Sequence, residues 1–121
     1  MDSLDDLNAR LVRFAQERDW EQFHSPKNLS MALAGEVGEL LEHFQWLTEE
    51  QSLDLAPDKK EQVALEVADC LIYLIRLAER LGIDPIAAAY RKIAINEQRY
   101  PAELVRGDAR RAGEYGLKDE G

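Results

Sequence analysis

The stretch that decides the fold runs from Val63 to Leu81 and reads VALEVADCLIYLIRLAERL. Apolar residues recur in it every three or four positions, which is the spacing of an α-helix. The chain has no run of alternating β-branched residues that would indicate a strand. The side of this helix away from its main apolar stripe is apolar as well, with Leu65, Ala68, Ile72 and Ile75.

A helix that is apolar nearly all round must be buried on several sides. Three other amphipathic helices are predicted in the chain, and so few helices can hardly bury this one completely. We therefore expect copies of the chain to associate, as a symmetric dimer or as a pair of dimers.

The four helices make the predicted fold all-α and similar to a four-helix bundle. They span about residues 4–18, 28–47, 58–81 and 85–100, and the N-cap residues that the sequence offers are Ser3, Asn28, Asp58 and Asp84. Pro26 argues against a helix across the connector that follows the first helix. Residues 1–105 are predicted to form one domain, and residues 106–121, rich in glycine and charge, a flexible C-terminal tail.

The composition argues against several classes of protein. The 121 residues include 15 basic and 24 acidic ones, a formal net charge of −9, which does not suit a protein that binds a nucleic-acid polymer. Cys70 is the only cysteine, so no disulfide forms within the chain. Neither a signal peptide nor a membrane-spanning apolar stretch is apparent. We therefore expect a cytoplasmic protein with no membrane partner.

Two pairs of acidic residues stand out inside the apolar helical pattern. Glu36 and Glu39 belong to the second predicted helix, and Glu66 and Asp69 belong to the third. A spacing of three residues puts both members of a pair on one helix face. Each pair borders the apolar stripe, whereas solvated carboxylates usually lie opposite it, so the alternative of ordinary surface acids is disfavoured. Antiparallel packing of the two helices would bring both pairs to one groove.

Four carboxylates in one groove repel one another unless a cation lies between them. Hard oxygen ligands suit Mg²⁺, with Mn²⁺ as a substitute. A di-iron carboxylate centre is the alternative, but such centres usually require Glu-x-x-His pairs, and these segments offer Glu-x-x-Glu and Glu-x-x-Asp. The sequence therefore predicts a magnesium site in a helical bundle.

The segments around these acids resemble a known family. The runs 34–40, 44–46 and 66–73 are similar to the MazG-like all-α nucleoside triphosphate pyrophosphohydrolases, and the flanking runs 17–24 and 95–101 resemble the dCTP pyrophosphatases within that superfamily. The resemblance covers about residues 4–105. It implies hydrolysis of dCTP, or of a related or modified deoxynucleoside triphosphate, to the monophosphate and pyrophosphate.

The resemblance also implies a homo-tetramer, a dimer of dimers with helices packed across the subunit interface. By the family pattern the catalytic and metal-binding residues are Glu36, Glu39, Glu66 and Asp69. Mg²⁺ would neutralise the triphosphate and lower the pKa of the attacking water.

Further residues are candidates for binding the nucleotide. Trp20 and Trp46 offer flat surfaces that could stack on a base, although either could belong to a core or an interface. Lys92, Asn96 and Arg99 form a polar stripe on the fourth helix, which is either a solvated face or, as the family pattern implies for the first two, a phosphate-binding one.

The connector and the third helix supply the last candidates. His24 could contact the base or a phosphate, or it could be an incidental loop residue. Tyr73, one turn after Asp69, could bind the sugar or a phosphate, or could pack in the core. Leu11 takes the place of a pocket histidine that we expect in some dCTP pyrophosphatases, so a different base preference is an alternative. A function of another class is a non-catalytic helical module that holds a structural ion or a partner's basic patch.

Overall fold

The computed structural model describes residues 3–107. Every regular element in this range is a helix and none is a strand, which confirms the all-α prediction. The elements are α1 (Leu4–Glu17), a 3₁₀ turn (Glu21–Phe23), α2 (Pro26–Glu42), α3 (Glu49–Ser52), α4 (Pro57–Arg80), α5 (Pro85–Arg99) and α6 (Ala102–Val105).

The chain divides into two units, one ending at Ile83 and the other beginning at Asp84, and each is described by itself. The prediction of one domain over residues 1–105 stays a prediction. Most of the predicted tail, from residue 108 onward, lies outside the described residues. No helix in the described range combines the length and the apolar character that a membrane span requires.

Two of the predicted N-caps are confirmed. The Ser3 hydroxyl accepts a hydrogen bond from the Asp6 N–H at 3.0 Å and starts α1. The Asp84 carboxylate accepts from the N–H groups of Ile86 and Ala87 at 3.0 and 3.1 Å and starts α5. Both caps satisfy N–H groups that have no partner within their own helix.

The other two predicted helix starts are wrong. α2 begins at Pro26 with Ser25 as its N-cap, rather than near Asn28. α4 begins at Pro57, one residue before the predicted cap Asp58. Proline is well suited to the first helical position, because its fixed φ matches the helix and its missing N–H would have no partner there. Each proline therefore lies at the first position of a helix, whereas we expected it in the segment before that helix.

The predicted end of α2 is also wrong. The helix stops at Glu42 instead of about residue 47, and the chain then turns until Thr48 caps α3. Thr48 and Gln51 form a capping box, in which each side chain accepts from the other residue's N–H, at 3.1 and 2.9 Å. Trp46 lies in the turn, so it does not continue the helical edge that carries the acidic residues.

The core of the first unit lies where α4 packs along α2 and against α1. Residue 24 contacts residue 76, and residues 36 and 39 lie close to residue 66. Because the residue numbers rise along one segment as they fall along the other, α2 and α4 run antiparallel. The buried set is small within residues 3–107 and consists of Ala15, Leu29, Ile75, Arg76 and Ala78. Several apolar side chains of α4 stay exposed, among them Leu65 at 60%.

Candidate active site

Three of the four predicted carboxylates form a cluster between α2 and α4. Glu36, Glu39 and Glu66 each bring one carboxylate oxygen to within 4.8 Å of the others. Glu36 and Glu39 share a face of α2 because they are one turn apart, and the antiparallel packing places Glu66 of α4 opposite them. This carboxylate cluster has the ligand chemistry of a divalent-cation site.

Two oxygen atoms of the cluster have no partner in the part of the chain that the structure describes. Oε2 of Glu36 and Oε2 of Glu66 are both buried and accept no hydrogen bond. A buried carboxylate oxygen without a partner is costly, unless a charge or a donor compensates it. A cation bound between the two helices would supply that compensation, so the residues fit a metal ion.

The electrostatics of the carboxylate cluster point the same way. Burial and the close, like-charged side chains of Glu39 and Glu36 raise the pKa of Glu66 to about 7. The neighbouring Glu66 side chain acts to lower the pKa of Glu36, but burial and the charges of Glu39 and Asp69 outweigh it, and the pKa of Glu36 is raised. Glu66 therefore keeps its proton to a higher pH than an ordinary carboxyl group when nothing else neutralises the cluster.

Asp69, the fourth predicted ligand, connects the carboxylate cluster to a pocket. It lies one turn after Glu66 on α4, and its charge contributes to the raised pKa of Glu36. It is not one of the three mutually close carboxylates, and it also lines a neighbouring cavity of about 440 Å³. Its role as a metal ligand stays a prediction.

This pocket, bounded by α1, the connector after it and α4, has a largely apolar lining. Three of the candidate nucleotide-binding residues line it, namely Trp20, His24 and Tyr73, and so does Leu11. Phe14 also lines it and packs edge-on against Trp20, with ring centroids 5.7 Å apart at 71°. A pocket with aromatic walls and a few polar groups suits a flat heterocycle.

Arg76 is a pocket residue to which the sequence analysis assigned no role. It is only 2% exposed, and its guanidinium Nε and Nη2 lie 3.4 and 3.3 Å from Nδ1 of His24. Its Nη1 donates to the Glu79 carboxylate at 3.0 Å. Burial lowers the pKa of His24, and the charges of Arg76 and Arg80 lower it further. The sequence feature that could have identified Arg76 is a cationic residue inside an apolar helical run, one turn after Tyr73.

Four candidates remain, one in the first unit and three in the second. Trp46 is 87% exposed and does not line the pocket. Lys92, Asn96 and Arg99 all lie on α5, in the second unit, where the Arg99 guanidinium lies 5.5 Å from the centroid of the Tyr100 ring. Their roles in binding a substrate stay predictions.

The fold and the site define a helical protein with a carboxylate cluster that can hold a metal ion, next to an apolar pocket. The sequence matches the model of the MazG-like family over residues 32–114. The chain belongs to the MazG-like family.

Individual relatives agree with this assignment. The chain is 49% identical over 109 residues to dCTP pyrophosphatase 1 of Rattus norvegicus, covering 88% of this chain and 64% of the relative. It is 47% identical over 111 residues to dCTP pyrophosphatase 1 of Homo sapiens, covering 90% and 65%. The chain thus spans just under two thirds of the length of these curated relatives.

A solved structure shares the fold. The crystal structure of a pyrophosphatase from Archaeoglobus fulgidus superimposes with a TM-score of 0.76 at 40% sequence identity. The match covers 80% of this chain and 91% of that one. The predicted resemblance to the MazG-like family is confirmed.

Proposed function

We propose that this protein hydrolyses a deoxynucleoside triphosphate, dCTP or a related or modified nucleotide, to the monophosphate and pyrophosphate. The observation that carries the proposal is the carboxylate cluster next to the aromatic pocket, with Asp69 bordering both. The names of the relatives at 47–49% identity support dCTP as the substrate. Removal of unwanted nucleotides from the cytoplasmic pool would be the biological role.

The metal ion in this proposal is Mg²⁺, with Mn²⁺ as a substitute. Glu36, Glu39 and Glu66 would hold it, joined by Asp69 when the ion is bound, because hard carboxylate oxygens are the ligands such ions prefer. Bound there, the ion would neutralise the triphosphate and make the attacking water more acidic. The buried, unpartnered oxygens of Glu36 and Glu66 support this assignment.

The side chains of the pocket would bind the rest of the nucleotide. Trp20 and Phe14 offer a stacking surface for the base, and burial of the base there would exclude water. Tyr73, one turn from Asp69, would hydrogen-bond the sugar or a phosphate. Leu11 gives the pocket an apolar wall, which leaves base selection to His24 and its surroundings.

The phosphates would be bound by α5. Lys92 and Asn96, and more weakly Arg99, would contact the triphosphate, with lysine acting as a point charge and asparagine as a hydrogen-bond donor. The family resemblance supports this assignment. The net charge of −9 supports a metal-chelated nucleotide, rather than a nucleic-acid polymer, as the ligand.

We further propose that the functional form is a homo-tetramer, a dimer of dimers. Exposed apolar side chains lie on opposite sides of α4, with Leu65 on one side and Val67 and Leu74 on the other, and they support burial against other copies. Trp46 is exposed over 87% of its surface, and a tryptophan so placed would gain by contact with a partner copy or a bound base.

The test is release of pyrophosphate from each of the four standard dNTPs and from 5-substituted dCTP in the presence of Mg²⁺. Turnover of E36Q and of E66Q should fall by about 10²-fold or more, because each loses a charged metal ligand. E42Q is the matched control, since Glu42 lies on the exposed side of the same helix and should retain activity.

Two results would count against the proposal. Full activity in E36Q or E66Q, with the helical circular dichroism signal unchanged, would show that the carboxylate cluster is not the catalytic centre. Binding of Mn²⁺ without release of pyrophosphate from any nucleotide would favour the non-catalytic module instead.

A further inference from the structure

We propose that Arg76 holds His24 in the tautomer with the proton on Nε2, and that this makes the pocket select cytosine over thymine and uracil. The inference rests on the proposed function, since it takes the pocket to be the site of the base. Arg76 is thus a positioning residue, and His24 is the residue that would contact the base.

The tautomer follows from the hydrogen bonds that the structure shows. A guanidinium can only donate hydrogen bonds. Nε and Nη2 of Arg76 both point at Nδ1 of His24, at 3.4 and 3.3 Å, so Nδ1 must accept and cannot carry a proton. A neutral imidazole then carries its proton on Nε2, and this nitrogen is a donor.

Arg76 is itself fixed in place. It is 2% exposed, and its third nitrogen donates to Glu79 on the same helix, at 3.0 Å. The charged groups around His24 are Arg76, Arg80 and Glu21, and the two cations oppose the protonated ring. Burial and these two cations lower the pKa of His24, so the neutral ring is favoured as well as one tautomer.

A fixed donor discriminates between the pyrimidines by their N3 atoms. N3 of cytosine is an acceptor, whereas N3 of thymine or uracil carries a hydrogen and would meet Nε2–H donor to donor. A free histidine could exchange tautomers and accept that hydrogen instead. Here the exchange would turn Nδ1–H towards the Arg76 guanidinium, which leaves two donors facing each other in a partly buried place.

The first experiment measures the tautomer by ¹⁵N NMR of the imidazoles. The chain has only two histidines, His24 and His43, and a His43→Gln variant assigns their signals. We expect His24 to be neutral with the proton on Nε2 at pH 7 in the wild-type chain. Arg76→Met should give a mixture of tautomers. Arg76→Lys, which keeps a donor, should restore the wild-type state.

Arg80→Met is the matched control. Arg80 also lies on α4 and is also a cation near His24, but among the described contacts it makes no hydrogen bond to the imidazole ring. The tautomer should therefore be unchanged in this variant. The proposal would be overturned if His24 of the wild type carried its proton on Nδ1. It would also be overturned if Arg80→Met lost the Nε2 tautomer to the same extent as Arg76→Met.

The second experiment measures binding of dCMP and dTMP by titration calorimetry with Mg²⁺ present, and requires no turnover. We expect the wild type to bind dCMP about tenfold or more tightly than dTMP, the usual consequence of leaving a buried donor unpaired. Arg76→Met should lower that ratio towards one, and Arg76→Lys should retain it.

Equal binding of the two nucleotides by the wild type, or binding of neither, would overturn the selection of cytosine. A failure of the proposed function can be distinguished from a failure of this inference. In that case no pyrophosphate would be released, but His24 would still show the fixed tautomer and the ratio of dCMP to dTMP binding would still depend on Arg76.

Discussion

Binding of a divalent cation should release protons near neutral pH, because Glu66 must lose its proton before its carboxylate can bind the cation. The pKa of Glu66 is raised to about 7, chiefly by burial and then by its neighbours Glu39 and Glu36. This residue alone would release about 0.9 proton per cation at pH 6, about 0.5 at pH 7 and about 0.1 at pH 8. The affinity for the cation should accordingly rise up to about tenfold per pH unit below pH 7 and level off above about pH 8.

The assay is isothermal titration calorimetry with Mn²⁺ at pH 6, 7 and 8, in pairs of buffers with different heats of ionisation. The difference between the buffers gives the number of protons released. E42Q, which changes an exposed carboxylate of the same helix, should behave as the wild type. Proton release below about 0.2 at pH 6, with the same affinity at pH 6 and pH 8, would refute the argument that Glu66 is a protonated ligand.

Three further predictions concern stability and assembly. First, the pKa of Glu66 in the folded state lies above its ordinary value of 4.5, so the folded state binds more protons than the unfolded state between about pH 4.5 and 7. The free energy of unfolding of the metal-free protein, measured by urea titration, should therefore fall as the pH rises through that window. Saturating Mg²⁺ should remove much of this fall, and a metal-free stability that increases over the same range would contradict the prediction. Second, Leu29 is 1% exposed, so Leu29→Ala should lower the free energy of unfolding by about 2–5 kcal/mol, as measured by urea titration, and a loss below about 1 kcal/mol would mean that the site collapses around the cavity. Third, Leu65→Glu should lower the molar mass measured by light scattering, because a charge on the exposed apolar side of α4 would have to be buried between copies; a wild type that is monomeric at all concentrations would count against the proposed assembly.

The sequence predicted the carboxylate cluster because its geometry is local. Glu36 and Glu39 share a helix face by their spacing alone, and the same phase relative to the apolar stripe identified Glu66 as their partner across the groove. The one additional assumption was antiparallel packing, which a short connection favours. All three residues could therefore be named without coordinates.

What could not be predicted depends on tertiary contacts or on the double role of proline. Pro26 and Pro57 can equally end one helix or begin the next, and the chain around them decides which. The second helix was predicted to run to about residue 47 and so to include Trp46, but α2 ends at Glu42. The pair of His24 and Arg76 joins residues 52 positions apart, and no periodicity within a single helix contains that contact.

The number of residues between Glu66 and Arg76 on α4 limits how related sequences can vary. Glu66 and Arg76 lie on one uninterrupted helix, so the carboxylate cluster and the inner end of the apolar pocket are separated by about 15 Å of rigid backbone. A deletion or insertion of a single residue between them would rotate one end by about 100° relative to the other. Natural variation should therefore replace side chains in this interval and leave its residue count unchanged, while loops elsewhere lengthen or shorten freely.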